Sequence, residues 1–261
     1  MRLISMHWLK LISNSPDLLH YLDLTKYNRR ITDRKLVDII CPFVGARPRY
    51  VDISNCFHVT DEGFAALGTT CGPSVKIWRM KSVWDITGPA VLEMVQKAKG
   101  LEEVDLSNCR KVGDNLLARV IGWVVPELPP AMAAAQQAQM NGRHRAMSQK
   151  TGQPIPQPLP PGTVVGCPKL KRLTLSYCKH ITDRSMAHIA VHAAGRIEQI
   201  DLTRCMTITD VGFQHWSVYP FPRLTKLCLA DCTYLTDNAI VYLTNAAKGL
   251  RELDLVSTIP F

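Results

Sequence analysis

The sequence is poorest in the features that announce a membrane protein or a catalyst. No apolar run approaches the roughly 20 residues that span a bilayer as a helix. The apolar stretch within residues 1 to 15 is broken by His7 and Lys10 and leads to no small-residue cleavage site. Neither a membrane partner nor a secretory signal is therefore expected. No Cys-x-x-Cys pair and no Cys/His cluster at zinc spacing occurs, so no metal or other cofactor is expected. The phrases of the nucleophile elbow, the zinc proteases, the P-loop and the dinucleotide fold are all missing. The 8 histidines are scattered, with His58 and His180 sharing a position on a turn. Each missing phrase encodes a backbone geometry that its reaction needs, so the chain is not expected to be an enzyme.

What is present is one phrase, returned seven times. An apolar pair two apart is followed by a cysteine or its stand-in, then by an apolar residue with Thr-Asp or a near relative. The copies run from Leu22, Leu24, Tyr27 and Ile31-Thr32-Asp33 through Val51, Ile53, Cys56 and Val59-Thr60-Asp61. Two departures follow: Trp78, Met80, Val83 and Ile86-Thr87-Gly88, then Val104, Leu106, Cys109 and Val112-Gly113-Asp114. The phrase resumes at Leu173, Leu175, Cys178 and Ile181-Thr182-Asp183, then at Ile200, Leu202, Cys205 and Ile208-Thr209-Asp210. Leu227, Leu229, Cys232 and Leu235-Thr236-Asp237 complete it, and an eighth copy opens at Leu250, Leu253 and Leu255.

Outside one long gap the period is 26 to 28 residues, within the leucine-rich-repeat range. The alternation of the first part of the phrase predicts a short half-buried strand, and the stretch after Thr-Asp switches to helical spacing. Leu36 and Ile39, Phe64 and Leu67, Met186 and Ile189, Phe213 and Trp216, and Ile240 and Leu243 are apolar pairs three apart. The predicted fold is thus α/β: a leucine-rich-repeat solenoid, a right-handed horseshoe with a parallel β ladder on its concave face and helices on its convex face.

Thr at the switch is suited to cap the helix that follows, and Asp to sit at the positive end of its dipole. This assigns Thr32, Thr60, Thr87, Thr182, Thr209 and Thr236 a structural role, with Gly113 a weaker cap. Five of the 9 cysteines (Cys56, Cys109, Cys178, Cys205, Cys232) share one position and are expected to point inward toward backbone groups of the turn. Free thiols on that scale suit a reducing cytosol or nucleus.

The segments LKRLTLSYCKHITDRSMAHIA (170 to 190) and VDISNCFHVTDEGFAALG (51 to 68) resemble the cysteine-containing leucine-rich repeats typical of F-box/leucine-rich-repeat proteins. The resemblance implies the substrate receptor of an SCF-type ubiquitin ligase, acting in ubiquitin-dependent protein degradation. In such a receptor the repeats bind a protein substrate on the concave face, and an F-box binds the Skp adaptor and, through it, a cullin. The alternative is a non-ligase scaffold, since a smaller set of relatives resembling an antagonist of mitotic exit, and nucleotide-excision-repair scaffolds, have similar repeats. No L-P-x-E phrase or helical module of F-box length precedes Leu19. Ile4, Trp8, Leu11 and Ile12, with Ser15-Pro16-Asp17-Leu18, instead resemble the helical half and outgoing turn of a preceding repeat. The chain is therefore expected to be a piece of a longer protein, with the Skp adaptor and cullin reached through an F-box upstream.

Three segments follow. Residues 1-125 form a first block of repeats with a partial N-terminal repeat, 126-166 an inserted loop rich in Pro, Ala and Gln, and 167-261 a second block truncated at its C-terminal end. The insert is expected either as a loop without a specific role or as a regulatory or partner-docking segment. Of the formal charge of +9, residues 1 to 50 carry +5. That patch reads as the solvated rim of a solenoid; nucleic acid is not the expected partner, since no aromatic-interleaved basic stripe accompanies it.

The binding surface should lie on the strand positions that point away from the core. The position between the two apolar residues reads Asp23, Asp52, Arg79, Asp105, Thr174, Asp201, Cys228, Asp254, an acidic stripe interrupted by Arg79. Flanking columns add Lys81, Glu102, Glu103, Glu198 and Glu252 among others. The candidate partner-binding residues are Tyr50, Asp52, Arg79, Asp105, Arg172, Thr174, Gln199, Asp201 and Lys226. A partner rich in Lys or Arg is expected, and reversing Asp52, Asp105 and Asp201 is expected to leave stability nearly unchanged. Phe57, His58, Tyr177, His180, Met206 and Tyr234 on the turn edge are alternative contact points.

Overall fold

A computed structural model describes residues 5, 10–12, 15–125 and 160–257. The chain divides into a repeat unit, Met1–Gly122 with Gly166–Phe261, and a second compact unit, Trp123–Val165. The strands are β1 (Tyr21–Asp23), β2 (Tyr50–Asp52), β3 (Ile77–Arg79), β4 (Glu103–Asp105), β5 (Trp123–Val124), β6 (Val164–Val165), β7 (Arg172–Thr174), β8 (Gln199–Asp201), β9 (Lys226–Cys228) and β10 (Glu252–Asp254). The α-helices are α1 (Asp33–Lys35), α2 (Cys41–Val44), α3 (Asp61–Cys71), α4 (Gly88–Lys97), α5 (Asp114–Ile121), α6 (Asp183–Ala193), α7 (Asp210–Gln214) and α8 (Asp237–Ala246).

The repeat unit carries one eight-stranded sheet, in the order β1-β2-β3-β4-β7-β8-β9-β10, with every pairing parallel. Only three residues per copy form strand, because the third residue beyond the strand turns away. Asn55, Ser82, Asn108, Tyr177, Arg204 and Asp231 take left-handed φ of 54° to 64°. Each donates its N–H to the following copy, as in Asn55 to Lys81 O at 2.7 Å and Tyr177 to Thr203 O at 2.8 Å. That conformation is disfavoured by roughly 1–2 kcal/mol for residues with a Cβ, and the inter-repeat bond holds it.

Middle strand residues Val51, Trp78, Val104, Leu173, Ile200 and Leu227 are buried and pack on helix residues Phe64, Leu67, Met94, Leu117, Met186, Ile189, Phe213 and Leu243 in one continuous core. At roughly 1.5–3 kcal/mol per buried apolar side chain, this column is the main cohesive term between repeats. One expected helical pair fails: Leu36 is buried, but Ile39 is 54% exposed. Between α1 and α2 the chain forms a wide π turn, Leu36–Ile40, whose smaller rotation per residue takes Ile39 off the face of Leu36. Ile240 packs only partly against the core beside buried Leu243.

The Thr-Asp pairs do more than cap. Thr182, Thr209 and Thr236 accept an N–H of their own helix at 3.2–3.3 Å, whereas Thr32, Thr60 and Thr87 make no side-chain cap bond. What recurs instead is a bridge between copies. The N–H and hydroxyl of each Thr donate to the two oxygens of the preceding copy's Asp: Thr60 to Asp33, Thr87 to Asp61, Thr182 to Asp114, Thr209 to Asp183 and Thr236 to Asp210. All ten distances are 2.5–2.9 Å. Beside Asp33 and Asp183 the helix of the next copy carries Gly63 and Gly212, where a Cβ would fall 2.3 and 2.6 Å from the carboxylate. Between the third and fourth copies both partners are missing at once, since Gly88 stands for the acceptor and Gly113 for the donor.

The cysteine column also faces backwards. The thiols of Cys109, Cys178, Cys205 and Cys232 donate to Met80 O, Leu106 O, Leu175 O and Leu202 O at 3.0–3.3 Å. Burial pushes the thiols of Cys56, Cys109 and Cys178 up to about 12, which keeps them protonated and able to donate.

In the second unit β5 and β6 pair antiparallel, extended by Val125 N–H to Thr163 O at 2.9 Å. Within the repeat unit the chain leaves at Gly122 (φ 73°) and returns at Gly166 (φ 132°). A Cβ on Gly166 would lie 2.6 Å from the Gly122 Cα. Arg196 donates to Ile121 O at 2.6 Å, Lys99 to Gly166 O at 3.2 Å, and His188 Nε2 lies 2.8 Å from Gly122 O. The expected Pro-rich and Ala/Gln-rich stretch falls on residues 126–159, outside the described residues, as do Ile4 and Trp8. Among the described residues no helix is long and apolar enough to cross a membrane, and no group of three or more His, Cys, Asp or Glu is placed to hold a metal ion.

Candidate protein-binding face

The register of the sheet sets two columns of side chains on the face opposite the core. The first reads Tyr21, Tyr50, Ile77, Glu103, Arg172, Gln199, Lys226, Glu252, and the second Asp23, Asp52, Arg79, Asp105, Thr174, Asp201, Cys228, Asp254. Neighbouring strands lie about 4.8 Å apart, so consecutive members of a column are within side-chain reach.

At the centre two arginines share one carboxylate. Arg79 donates to Glu103 Oε1 from Nε at 3.1 Å and from Nη2 at 2.7 Å, and Arg172 Nε donates to Oε2 at 2.7 Å. The Glu103 side chain is 13% exposed. Its burial opposes ionisation, but the hydrogen bonds and charges of the two arginines outweigh it and hold its pKa below the ordinary value. On the other side Arg79 lies over the Tyr50 ring, 5.4 Å from its centroid. Tyr50 stacks on Tyr21 at 3.9 Å, and its hydroxyl donates to Asp52 Oδ2 at 2.9 Å. Burial first, then these bonds, push the Tyr50 pKa up. Tyr21, Tyr50, Asp52, Arg79, Glu103 and Arg172 thus form one connected chain over five strands.

The aspartates of the second column have a structural task. Oδ1 of Asp23, Asp52, Asp105, Asp201 and Asp254 accepts the N–H two residues on, from Thr25, Ser54, Ser107, Thr203 and Val256, at 2.9–3.1 Å. Thr25, Ser107 and Thr203 add hydroxyl bonds to the same oxygens. These carboxylates close the turns that leave the strands. The expectation that reversing them would leave stability unchanged is therefore corrected: each reversal removes the acceptor of a turn.

Of the nine candidates, six (Arg79, Arg172, Thr174, Gln199, Asp201 and Lys226) line a single depression of ≈ 270 Å³ with Glu103 and Cys228. Asp105 is beside it on β4, while Tyr50 and Asp52 on β2 connect to it through Arg79. Lys226 donates to Glu252 at 2.6 Å, and that bond raises its pKa. Cys228 is half-buried, and burial followed by the Asp201 charge raises its pKa. The lining offers hydrogen-bonding groups and charges of both signs, Arg79, Arg172 and Lys226 against Glu103 and Asp201. Glu103 and Cys228 were legible as column members but not as parts of a site. The signal for Glu103 is an acid one strand from each of two arginines, visible only once the copies at Arg79 and Arg172 are aligned across the insert.

No protein-family model matches the chain, and no curated protein matches it. Among solved structures the chain is similar to the crystal structure of the Rad7 and Elc1 complex in yeast, with 12% identity, a TM-score of 0.33, and coverage of 97% of this chain and 85% of that one. That likeness is too slight to bear on function.

Proposed function

We propose that the chain is a protein-interaction solenoid, the substrate-recognition part of an SCF-type ubiquitin ligase receptor, which performs no chemistry itself. In this reading the sheet is the concave face of a right-handed horseshoe. The partner protein lies across the two polar columns, and an F-box in the same gene product brings the Skp adaptor and cullin. The observation that carries the binding role is the unbroken register of eight parallel strands, which aligns sixteen side chains on one face and presents them as a continuous surface rather than a closed pocket. The ligase assignment rests on the repeat phrase and its cysteine column. All nine cysteines are unpaired thiols, which supports the cytosol or nucleus as the working compartment.

Affinity purification of the whole gene product tests the assignment. Recovery of a Skp adaptor and a cullin is expected; their absence, with the sheet face still capturing a protein, would leave a non-ligase scaffold.

A further inference from the structure

Resting on the reading of the sheet face as the binding surface, we propose that the depression between β4 and β9 is a receptor for one carboxylate of the partner, an Asp or Glu side chain engaged by Arg172.

The charge balance of the central cluster points there. Two guanidinium groups, Arg79 and Arg172, share the single carboxylate of Glu103, and the other carboxylate of the connected chain, Asp52, lies on the Arg79 side, so Arg172 is the cation with the smaller share of negative charge. The donors left over are not equivalent. Arg79 gives Nε and Nη2 to Glu103, and its Nη1 lies 3.5 Å from the Tyr50 hydroxyl. Arg172 is bonded through Nε alone, and its two terminal amino groups have no partner among the described residues. Its side chain is 34% exposed and lines the depression. A guanidinium fixed at Nε, with both Nη groups free, presents the paired geometry that grips a carboxylate with two parallel bonds.

The surroundings favour an acid at Arg172. Thr174 and Gln199, without side-chain partners among the described residues, supply neutral donors beside Arg172, and Lys226 adds a second cation two strands away. Asp52 and Asp105 flank the cluster on β2 and β4, and Asp201 lines the depression on β8 beside Thr174, so one acidic residue engages Arg172 while the partner residues that meet these carboxylates are Lys or Arg. This refines the expectation of a uniformly basic partner.

The test is selection of a random dodecamer peptide library displayed on phage, panned against the full chain. Three variants run in parallel: Arg172→Gln, Arg172→Glu, and Thr174→Trp, which fills the depression. Circular dichroism confirms that each is folded, and Arg172→Lys, which keeps the charge but not the paired donors, serves if Arg172→Gln does not fold. The native chain should enrich Asp or Glu at one fixed position. Arg172→Gln should abolish that preference, with roughly tenfold weaker binding of the selected peptides, and Arg172→Glu should replace the acid by Lys or Arg. Peptides displaced by Thr174→Trp but indifferent to Arg172 would overturn the carboxylate receptor while leaving the sheet-face reading intact. Peptides insensitive to Thr174→Trp, or no enrichment above an unrelated protein, would overturn both.

Discussion

The junction between the third and fourth copies differs from its neighbours at the helix edge, while on the sheet face it carries an ion pair as the next junction does. At the helix edge, five junctions carry an Asp-to-Thr bridge of two hydrogen bonds, and this one, with Gly88 facing Gly113, carries none. On the sheet face it holds the Arg79–Glu103 pair. Asn108 Nδ2 to Ser82 Oγ at 2.9 Å adds a cross-junction bond on the turn between the edges. The two departures in the repeated phrase fall on the two partners of one bridge, Gly88 where the acceptor would stand and Gly113 where the donor would. Cohesion at this junction is shifted toward the sheet face, where Arg79 stands at a position that is Asp in five of the eight copies.

Urea unfolding of variants can break this comparison. The largest loss is expected for joint reversal of Asp52, Asp105 and Asp201 to Lys, about 3 kcal/mol at roughly 1 kcal/mol per turn acceptor. A loss below about 0.5 kcal/mol would return these residues to a purely surface role. Next is Asp114→Ala, which removes the acceptor of Thr182 and of Ser185, itself 1% exposed. About 2–3 kcal/mol is expected, since a buried hydroxyl is left unpaired.

The acid limb of stability tests the same carboxylate. Burial raises the Asp114 pKa, but the bonds from Ser185 and Thr182 more than offset it, so the folded value is below the unfolded one. A depressed pKa contributes stability that is complete above the ordinary carboxylate range and is lost as pH falls through the folded value. Native protein should therefore lose stability as pH drops below about 4, with a shallower slope in Asp114→Ala. Equal slopes would refute the linkage. Glu103 titrates with the same sign, and Glu103→Gln should cost about 1–2 kcal/mol at neutral pH, most of it lost binding to two arginines. The smallest effect is a gain. Gly88→Asp with Gly113→Thr should install the missing bridge and stabilise by about 1 kcal/mol, provided His180, 3.1 Å from a Cβ at position 113, gives way. Either single substitution should gain less than the pair, and additivity of the two would show that no bridge formed.

The repeat, the strand columns and most of the core were legible because a fixed period needs no knowledge of distant contacts. The bridges were not, since adjacent Thr and Asp are fully explained by helix capping and their true partners lie 26–27 residues away, or 68 across the insert. The trace they leave in the sequence is that Gly88 and Gly113 depart in consecutive copies. The left-handed column was hidden for a different reason. Asn55, Ser82, Asn108 and Asp231 are polar residues of the kind common in turns, but Tyr177 and Arg204 are not residues that signal a positive φ. The site was half legible: Arg79 interrupts an acidic column in plain view, while its pairing through Glu103 to Arg172 depends on β4 and β7 meeting across the insert.

The most direct test of the account is quantitative affinity purification of the whole gene product, native and Thr174→Trp, from the same cells. The account predicts one or more proteins captured by the native form and lost with the depression filled, with a Skp adaptor and cullin recovered equally by both. An identical set of captured proteins from the two forms would contradict it, because the sheet face would then hold no partner.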